Sequence, residues 1–321
     1  METWTPPRFS TDLSAGNRFS PVGFDRLIGR RLTMTPQLAG RPWAWWNQNS
    51  DISFDLARLV QRALDARLGG ILAKWGYPDV EAAFARAGLP WGTERYVYPH
   101  QAQLEGNRLA DAVDAGAVLA VINAEKEWEA LDAAPMELLI ATFRARHPTT
   151  ELYASVDTRG NRLTLPYQRV LAQHVAGWLP MIYPFAFYGR DGEGNRITPP
   201  PDFVARAFAA CIDGHDFGGI PVYPTIQLYD DIGAAAVQQE LAEVAARGLE
   251  GYQAYTIPHA TAPEWAVIVN AAQEAPIAEP TVAQELAAIR ALQPALTAVD
   301  LAKLVGQIRW LYLQAGRPFP S

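Results

Sequence analysis

The sequence holds a single cysteine, Cys211, in 321 residues, so no intrachain disulfide contributes to the fold. Cys211 lies in the apolar helical stretch ARAFAACIDG, where a buried, unreactive thiol is expected rather than a nucleophile. No window approaches the ~18 uninterrupted apolar residues of a membrane span. The opening METWTPPRFS is polar and proline-containing, not basic and then apolar. The expectation is therefore a soluble protein with no membrane insertion and no cleaved leader, either cytoplasmic or released and virion-associated. Positive charge is short: 27 Lys and Arg against 34 Asp and Glu give −7, which argues against nucleic acid as a partner. Metal signatures are missing too. The five histidines (His100, His147, His174, His215 and His259) form neither an H-x-H nor an H-E-x-x-H pattern. His100 and His259 are the pair that a barrel top would bring together. The segment GRDGEGNR (189–196) lacks the closing Glu of a calcium loop and reads as a turn. Without GxGxxG or GxxxxGK[ST], a nucleotide cradle is excluded as well, and neither metal nor cofactor is expected.

What the sequence does hold is alternation. WAWWNQ (43–48), ILAKWG (71–76), PWGTERYVYP (90–99), AVLAVIN (117–123), TELYASVD (150–157), LPMIYPFAFYG (179–189), IPVYPTIQLYDD (220–231) and LEGYQAYTI (249–257) are each followed by an amphipathic helical stretch. The first helix is expected to be capped by Asp51 or Ser53 and stopped at Gly69, and the second to run from Pro78 to Gly88. Strands alternating with helices imply a parallel sheet, and eight such units imply a single (β/α)8 TIM barrel over residues 41–275. Residues 1–40 read as an irregular N-terminal arm. Residues 276–321 read as an extension with two extra helices, opened by capping boxes at Thr281/Gln284 and Thr297/Asp300. The apolar IRWLYLQ near the end would dock on the barrel itself or on a partner, and the arm and the C-terminal helices are where other subunits of an assembly would attach.

In this architecture reactive groups sit at the C-terminal ends of the strands. Polar and aromatic residues crowd there: Gln48, Lys74, Tyr96, Tyr98, Tyr183, Tyr188, Gln227, Asp230, Gln253 and Tyr255 are the substrate-binding candidates, with Glu127. On strand 4, alternation puts Leu119, Val121, Asn123, Glu125 and Glu127 on one face. With that face inward, Glu125 lies among aromatic walls, where low dielectric raises a carboxyl pKa and lets it hold a proton as a general acid requires. The plainer alternative for Glu125 is an ion pair with Lys74 or a neighbouring Arg. Most sugar-cleaving chemistry needs a second carboxylate. Asp157 is the nearest in sequence order; Asp230 and Asp231 are the others, at least one of them expected to cap the next helix. An N-acetylated substrate supplies its own nucleophile instead, and Asn123, Tyr183 and Tyr255 suit the task of orienting its acetamide. The catalytic candidates are thus Glu125, Asp157 and Asn123.

The order GGILAKWG, LPWGTERYVYP, AVLAVINAEKE resembles glycoside hydrolase family 25 lysozymes, and LPMIYPFAFYG, YPTIQLYDD and GYQAY resemble the strands of family 18-like glycoside hydrolase barrels. The resemblance spans most of residues 41–270 and implies a carbohydrate-binding, lysozyme-like hydrolase acting on a glycan or polysaccharide of cell-wall type, with Glu125 as its acid. Where the family pattern has Asp-x-Glu, this chain has Asn123-x-Glu125. An amide hydrogen-bonds a sugar but does not stabilise a cation as a carboxylate does. The alternative expectation is therefore a weakened or inactive barrel that serves a larger assembly, such as a phage tail, as its glycan-binding component.

Overall fold

In the computed structural model, residues 37–46, 55–74, 78–159, 162–198 and 200–274 are described. Eight strands close into a parallel barrel in chain order: β1 (Trp43–Trp46), β2 (Gly70–Lys74), β3 (Trp91–Tyr96), β4 (Leu119–Asn123), β5 (Glu151–Val156), β6 (Gly177–Ile182), β7 (Thr225–Gln227) and β8 (Gln253–Tyr255). Closure is made by β1 on β8, with Trp43 level with Gln253. The helices between and after them are α1 (Leu56–Asp65), α2 (Pro78–Arg86), α3 (Ala102–Asp114), α4 (Ala134–Arg146), α5 (Pro166–His174), α6 (Phe203–Phe208), α7 (Ala234–Ala246) and α8 (Ala262–Glu274). A one-turn helix at Pro184–Phe187 follows β6. The (β/α)8 expectation is met. Residues 1–36 of the N-terminal arm and the whole C-terminal extension, with its two capping boxes, lie outside the described residues.

Alternation sorts the strand residues into two cores. Trp43, Trp45, Leu72, Leu119, Val121, Tyr153, Leu179 and Tyr223 point into the barrel, joined by Leu38. Their neighbours Ala44, Ile71, Ala73, Ile182, Ile226 and Ala254 point outward and meet the apolar faces of the helices. Filling the interior with rings requires small residues opposite them. A Cβ on Gly177 would lie 2.6 Å from Tyr223 Cε2 and 3.1 Å from Tyr153 Cδ1, rings that are themselves fully buried. Gly177→Ala is expected to destabilise the barrel by ~1–3 kcal/mol, the usual cost of overpacking a core. Thermal melts compared with wild type check this, and an unchanged Tm overturns it.

Two local expectations differ. α1 is capped by Asp55, whose carboxylate accepts from Ala57 N at 2.9 Å, and Asp51 and Ser53 lie outside the described residues. The chain leaves α1 through Arg67, which takes the left-handed conformation (φ 47°), two residues before Gly69. Gly69 is small for another reason: a Cβ there would lie 2.5 Å from Trp43 Nε1.

Behind β7, two fully buried carboxyls stand on neighbouring helices. Glu264 accepts from Gly233 N (2.7 Å), Thr261 N (2.8 Å) and Thr261 Oγ1 (2.8 Å), and so fixes the entry to α7. Glu240 accepts from Gln227 N at 3.3 Å, while its Oε2 has no partner among the described residues. Burial holds Glu240 well above the usual carboxylate range, and the nearby Glu264 adds to the rise. A carboxyl raised by folding favours the native state fully below its unfolded pKa of about 4.3 and loses that contribution as pH rises toward its folded value. Glu240→Gln is therefore expected to flatten the decline of Tm with rising pH above that point. Parallel pH–Tm curves for wild type and variant would overturn the assignment.

Candidate active site

The top of the barrel opens into a cleft of about 600 Å³, and its floor is the strand order itself. Asn123 is level with Tyr96 on β3 and with Ser155 on β5, and all three line the cleft. One inward step beyond Asn123 comes Glu125, one beyond Ser155 comes Asp157, and one below Tyr96 lies Glu94.

Glu125 is delivered by the way the sequence leaves β4. The strand ends at Asn123, and Lys126–Trp128 form a single 3-10 turn. Trp128 is fully buried; it donates from its indole nitrogen to Val97 O at 2.9 Å and packs against Tyr167 with ring centroids 6.0 Å apart. Burying such a ring stabilises the turn by ~1.5–3 kcal/mol or more, enough to fix the residues before it. The acidic run AEKE is thereby pinned rather than loose. Glu125 is half-buried in the cleft wall, and Glu127 reaches back to accept a short hydrogen bond from Tyr96 Oη.

The electrostatics separate these acids. Burial pushes Glu125 up, the charges of Glu127 and Asp157 push it further, and a hydrogen bond from the Asn123 amide opposes them. Glu127 moves down, because the Tyr96 hydroxyl donates to its charged form. Asp157 is clasped by Arg159: its Oδ1 accepts from Arg159 Nε (2.9 Å) and backbone N (3.0 Å), and its Oδ2 accepts from Arg159 Nη2 (2.5 Å). The guanidinium lies 3.7 Å from the Phe187 ring centroid, which holds the pair in place. Asp157 therefore stands near Glu125 as half of an ion pair.

Opposite Glu125 stands an aromatic wall. Tyr183 centres it, with Tyr255 at 5.5 Å, Tyr229 at 5.6 Å and Phe187 at 5.3 Å, and Trp45 meets Tyr255 at 5.7 Å. The Tyr183 hydroxyl is held well above its usual range by burial and then by its tyrosine neighbours, so it stays a neutral donor. Three buried polar atoms on cleft residues have no hydrogen-bond partner among the described residues: Asn123 Oδ1, Trp45 Nε1 and Thr256 Oγ1. Buried polar groups are nearly always paired, and unpaired ones clustered in a cleft mark places for a ligand or water.

Of the residues the sequence singled out, the structure brings Asn123, Glu125, Asp157, Tyr96, Tyr183, Asp230 and Tyr255 into the cleft, with Glu127 at its edge. Gln227 and Gln253 point inward but are fully buried one step below it. Gln227 accepts from Phe185 N (3.1 Å) and Ala186 N (3.3 Å), holding the one-turn helix after β6, and Gln253 accepts from Thr225 Oγ1 (3.2 Å). Tyr188 has turned away to Phe203 and Cys211 Sγ, 3.7 Å from its hydroxyl. Tyr98 stands outside the cleft, 41% exposed. Gln48 and the Lys74 side chain, and with it the alternative Glu125–Lys74 ion pair, lie outside the described residues. Neither Asp230 nor Asp231 caps α7, whose cap is Gly233; Asp230 pairs with Arg190 at 2.8 Å instead. His259 lines the cleft whereas His100 lines a separate groove, and among the described residues no cluster of three His, Cys, Asp or Glu side chains could hold a metal. Reading the sequence missed Glu94, Arg159, Phe187 and Trp46. The alternation applied to β4 would have found Glu94, since Gly92, Glu94 and Tyr96 share the inward face of β3.

No protein-family model matches the chain, and no curated protein matches it. Among solved structures it is similar to a chitinase from Chromobacterium violaceum (12% identity, TM-score 0.53, covering 74% of this chain and 99% of that one). It is similar also to a class V chitinase from Nicotiana tobaccum (13%, TM-score 0.51, 74% and 99%). A family 18 chitinase from Cycas revoluta in complex with (GlcNAc)3 is a third such structure (11%, TM-score 0.50, 73% and 99%). At these identities the likeness is one of fold.

Proposed function

We propose that this barrel hydrolyses O-glycosyl bonds in an N-acetylated glycan of cell-wall or chitin type, with Glu125 as general acid and the substrate's own acetamide as nucleophile. The observation that carries the reading is a pairing in one aromatic-walled cleft. Glu125 is pushed toward holding a proton, and the Asn123 amide that bonds to it leaves its own Oδ1 buried with no partner among the described residues. That oxygen is an acceptor awaiting an N–H, which an acetamide provides. Binding there would turn the acetamide carbonyl toward the anomeric carbon while the Glu125 proton passes to the leaving oxygen. Substrate-assisted hydrolysis of this kind needs only one free carboxyl, which fits a site where Asp157 is held by Arg159. Tyr183, a neutral hydroxyl in the same cleft, would donate to the acetamide oxygen. The chitinase named as bound to (GlcNAc)3 shares this barrel and supports the choice of sugar.

A second reading rests on Asn123 itself. With an amide where the resemblance has Asp, the barrel would bind the same glycan without cleaving it, as a component of an assembly such as a phage tail whose other contacts run through residues 1–40 or 276–321. The two readings part on turnover. Incubation with GlcNAc oligomers and with peptidoglycan strands is expected to release new reducing ends. Calorimetric binding of these oligomers without any release would overturn the hydrolase in favour of the binding barrel, and neither binding nor release would overturn both.

A further inference from the structure

We infer that the glycan path does not stop at the cleft, and that a second groove outside β3 and β4 receives the continuation of the same polysaccharide chain. This rests on the glycan reading above and adds to it the requirement for a long substrate. The groove is lined by His100 and Gln101 in the turn before α3, by Leu104 in α3, by Asp132 just before α4 and by Pro135 and Leu138 in α4, and its volume is about 700 Å³. A ladder of rings joins it to the cleft. Tyr96, in the cleft wall, lies 5.2 Å from Tyr98, and Tyr98 lies 5.8 Å from His100, in the groove wall. Tyr98 lines neither space and stands on the ridge between them, 41% exposed.

The ladder is held rather than free. Tyr96 is tied through its hydroxyl to Glu127, and His100 Nε2 is 3.1 Å from Gln101 Nε2. Beyond His100, Leu104 and Leu138 are 46% and 47% exposed, where few large apolar side chains among the described residues are. Asp132 holds the start of α4 by accepting from Ala134 N at 3.1 Å. A row of flat rings leading to an apolar floor edged by amide and carboxylate groups has the chemistry of a sugar ring, with apolar faces and a hydroxyl rim. A small apolar ligand has no use for that polar edge. A peptide would leave unexplained why the rings start inside the cleft. A polymer threaded from the cleft uses every part.

The experiment is a chain-length series of GlcNAc oligomers, from dimer to the longest soluble member, on wild type, Tyr98→Ala, His100→Ala and Leu104→Asp. These side chains are exposed, and melting curves confirm that the variants fold. Wild type is expected to gain affinity and kcat/KM steadily with length. The variants are expected to lose that gain, so that the penalty on the longest oligomer exceeds the penalty on the shortest by about tenfold, ~1.4 kcal/mol, for either ring. Leu104→Asp should act on the longest chains alone. Penalties that are equal at every length, or absent, would overturn the second groove while leaving the cleft reading intact. A wild type that neither binds nor cleaves any oligomer would overturn the cleft reading and this inference with it.

Discussion

Glu125→Gln is expected to lower kcat by about 10²–10⁴-fold, with KM nearly unchanged, on whichever N-acetylated oligomer wild type cleaves fastest; this is the range by which a positioned general acid contributes. Gln keeps the shape and the hydrogen bond to Asn123 but has no proton to give to the leaving oxygen. Because the carboxyl is raised by burial and by the charges of Glu127 and Asp157, wild-type activity is expected to fall as pH climbs through that raised value. Protonation is what the acid needs, so the limb lies on the alkaline side, and the residual activity of Glu125→Gln should lack it. Folding is expected to hold, because Trp128 and not Glu125 anchors the turn. Leaving groups of low pKa need little protonation, so the loss on an aryl glycoside should be much smaller than on a natural oligomer. A uniform loss on both would place the defect in binding and remove Glu125 from the acid role.

Much of this site is legible in the sequence because a strand's side chains obey a period of two, and that period survives folding. The face Leu119, Val121, Asn123 and Glu125 is the face that meets the barrel interior and then the cleft. The limits come from two physical sources. Strand length is one. The run 220–231 reads as one long strand, but β7 spans only Thr225–Gln227, with a single isolated bridge from Val222 to Trp178 before it, and Pro221 and Pro224 have no N–H to give to the ladder. Gln227 and Gln253 lie one inward step below the cleft, and Tyr229 and Tyr255, two residues further along each chain segment, line it. Pairing across the chain is the other. Asp157 and Arg159 are only two residues apart, but that the guanidinium would lie on Phe187 depends on where the turn after β6 brings that ring, from a different strand–helix unit, and no local pattern encodes it. The same holds for Glu264, which fixes the entry to α7 from the next helix in place of the adjacent Asp230 and Asp231.

Asn123→Asp is expected to raise kcat by about 10- to 100-fold and to reshape the pH profile. The cause is electrostatic. As the glycosyl bond breaks, positive charge grows on the sugar ring and its acetamide, beside the residue at position 123. A unit charge pair at 4 Å is worth ~4 kcal/mol at an effective dielectric of 20. The charge on the sugar is partial and the new carboxylate loses some hydration, so a net gain of ~1.4–2.8 kcal/mol is the reasonable expectation, which sets the fold-change. The neighbouring acid should respond with a definite sign. Removing the Asn123 amide takes away a donor that lowers the Glu125 pKa, and adding a negative charge raises it further. The alkaline limb therefore moves to higher pH. A new acid limb appears where the carboxyl introduced at position 123 must be ionised, so the profile becomes a bell whose two apparent values belong to the coupled pair. If wild type only binds glycan, the same substitution is the one expected to give detectable turnover, because the cleft already supplies a proton donor, an aromatic wall and the Tyr183 hydroxyl. A variant that keeps the wild-type rate and the wild-type pH profile would mean that no cation develops beside residue 123, and the substrate-assisted mechanism would fall with it.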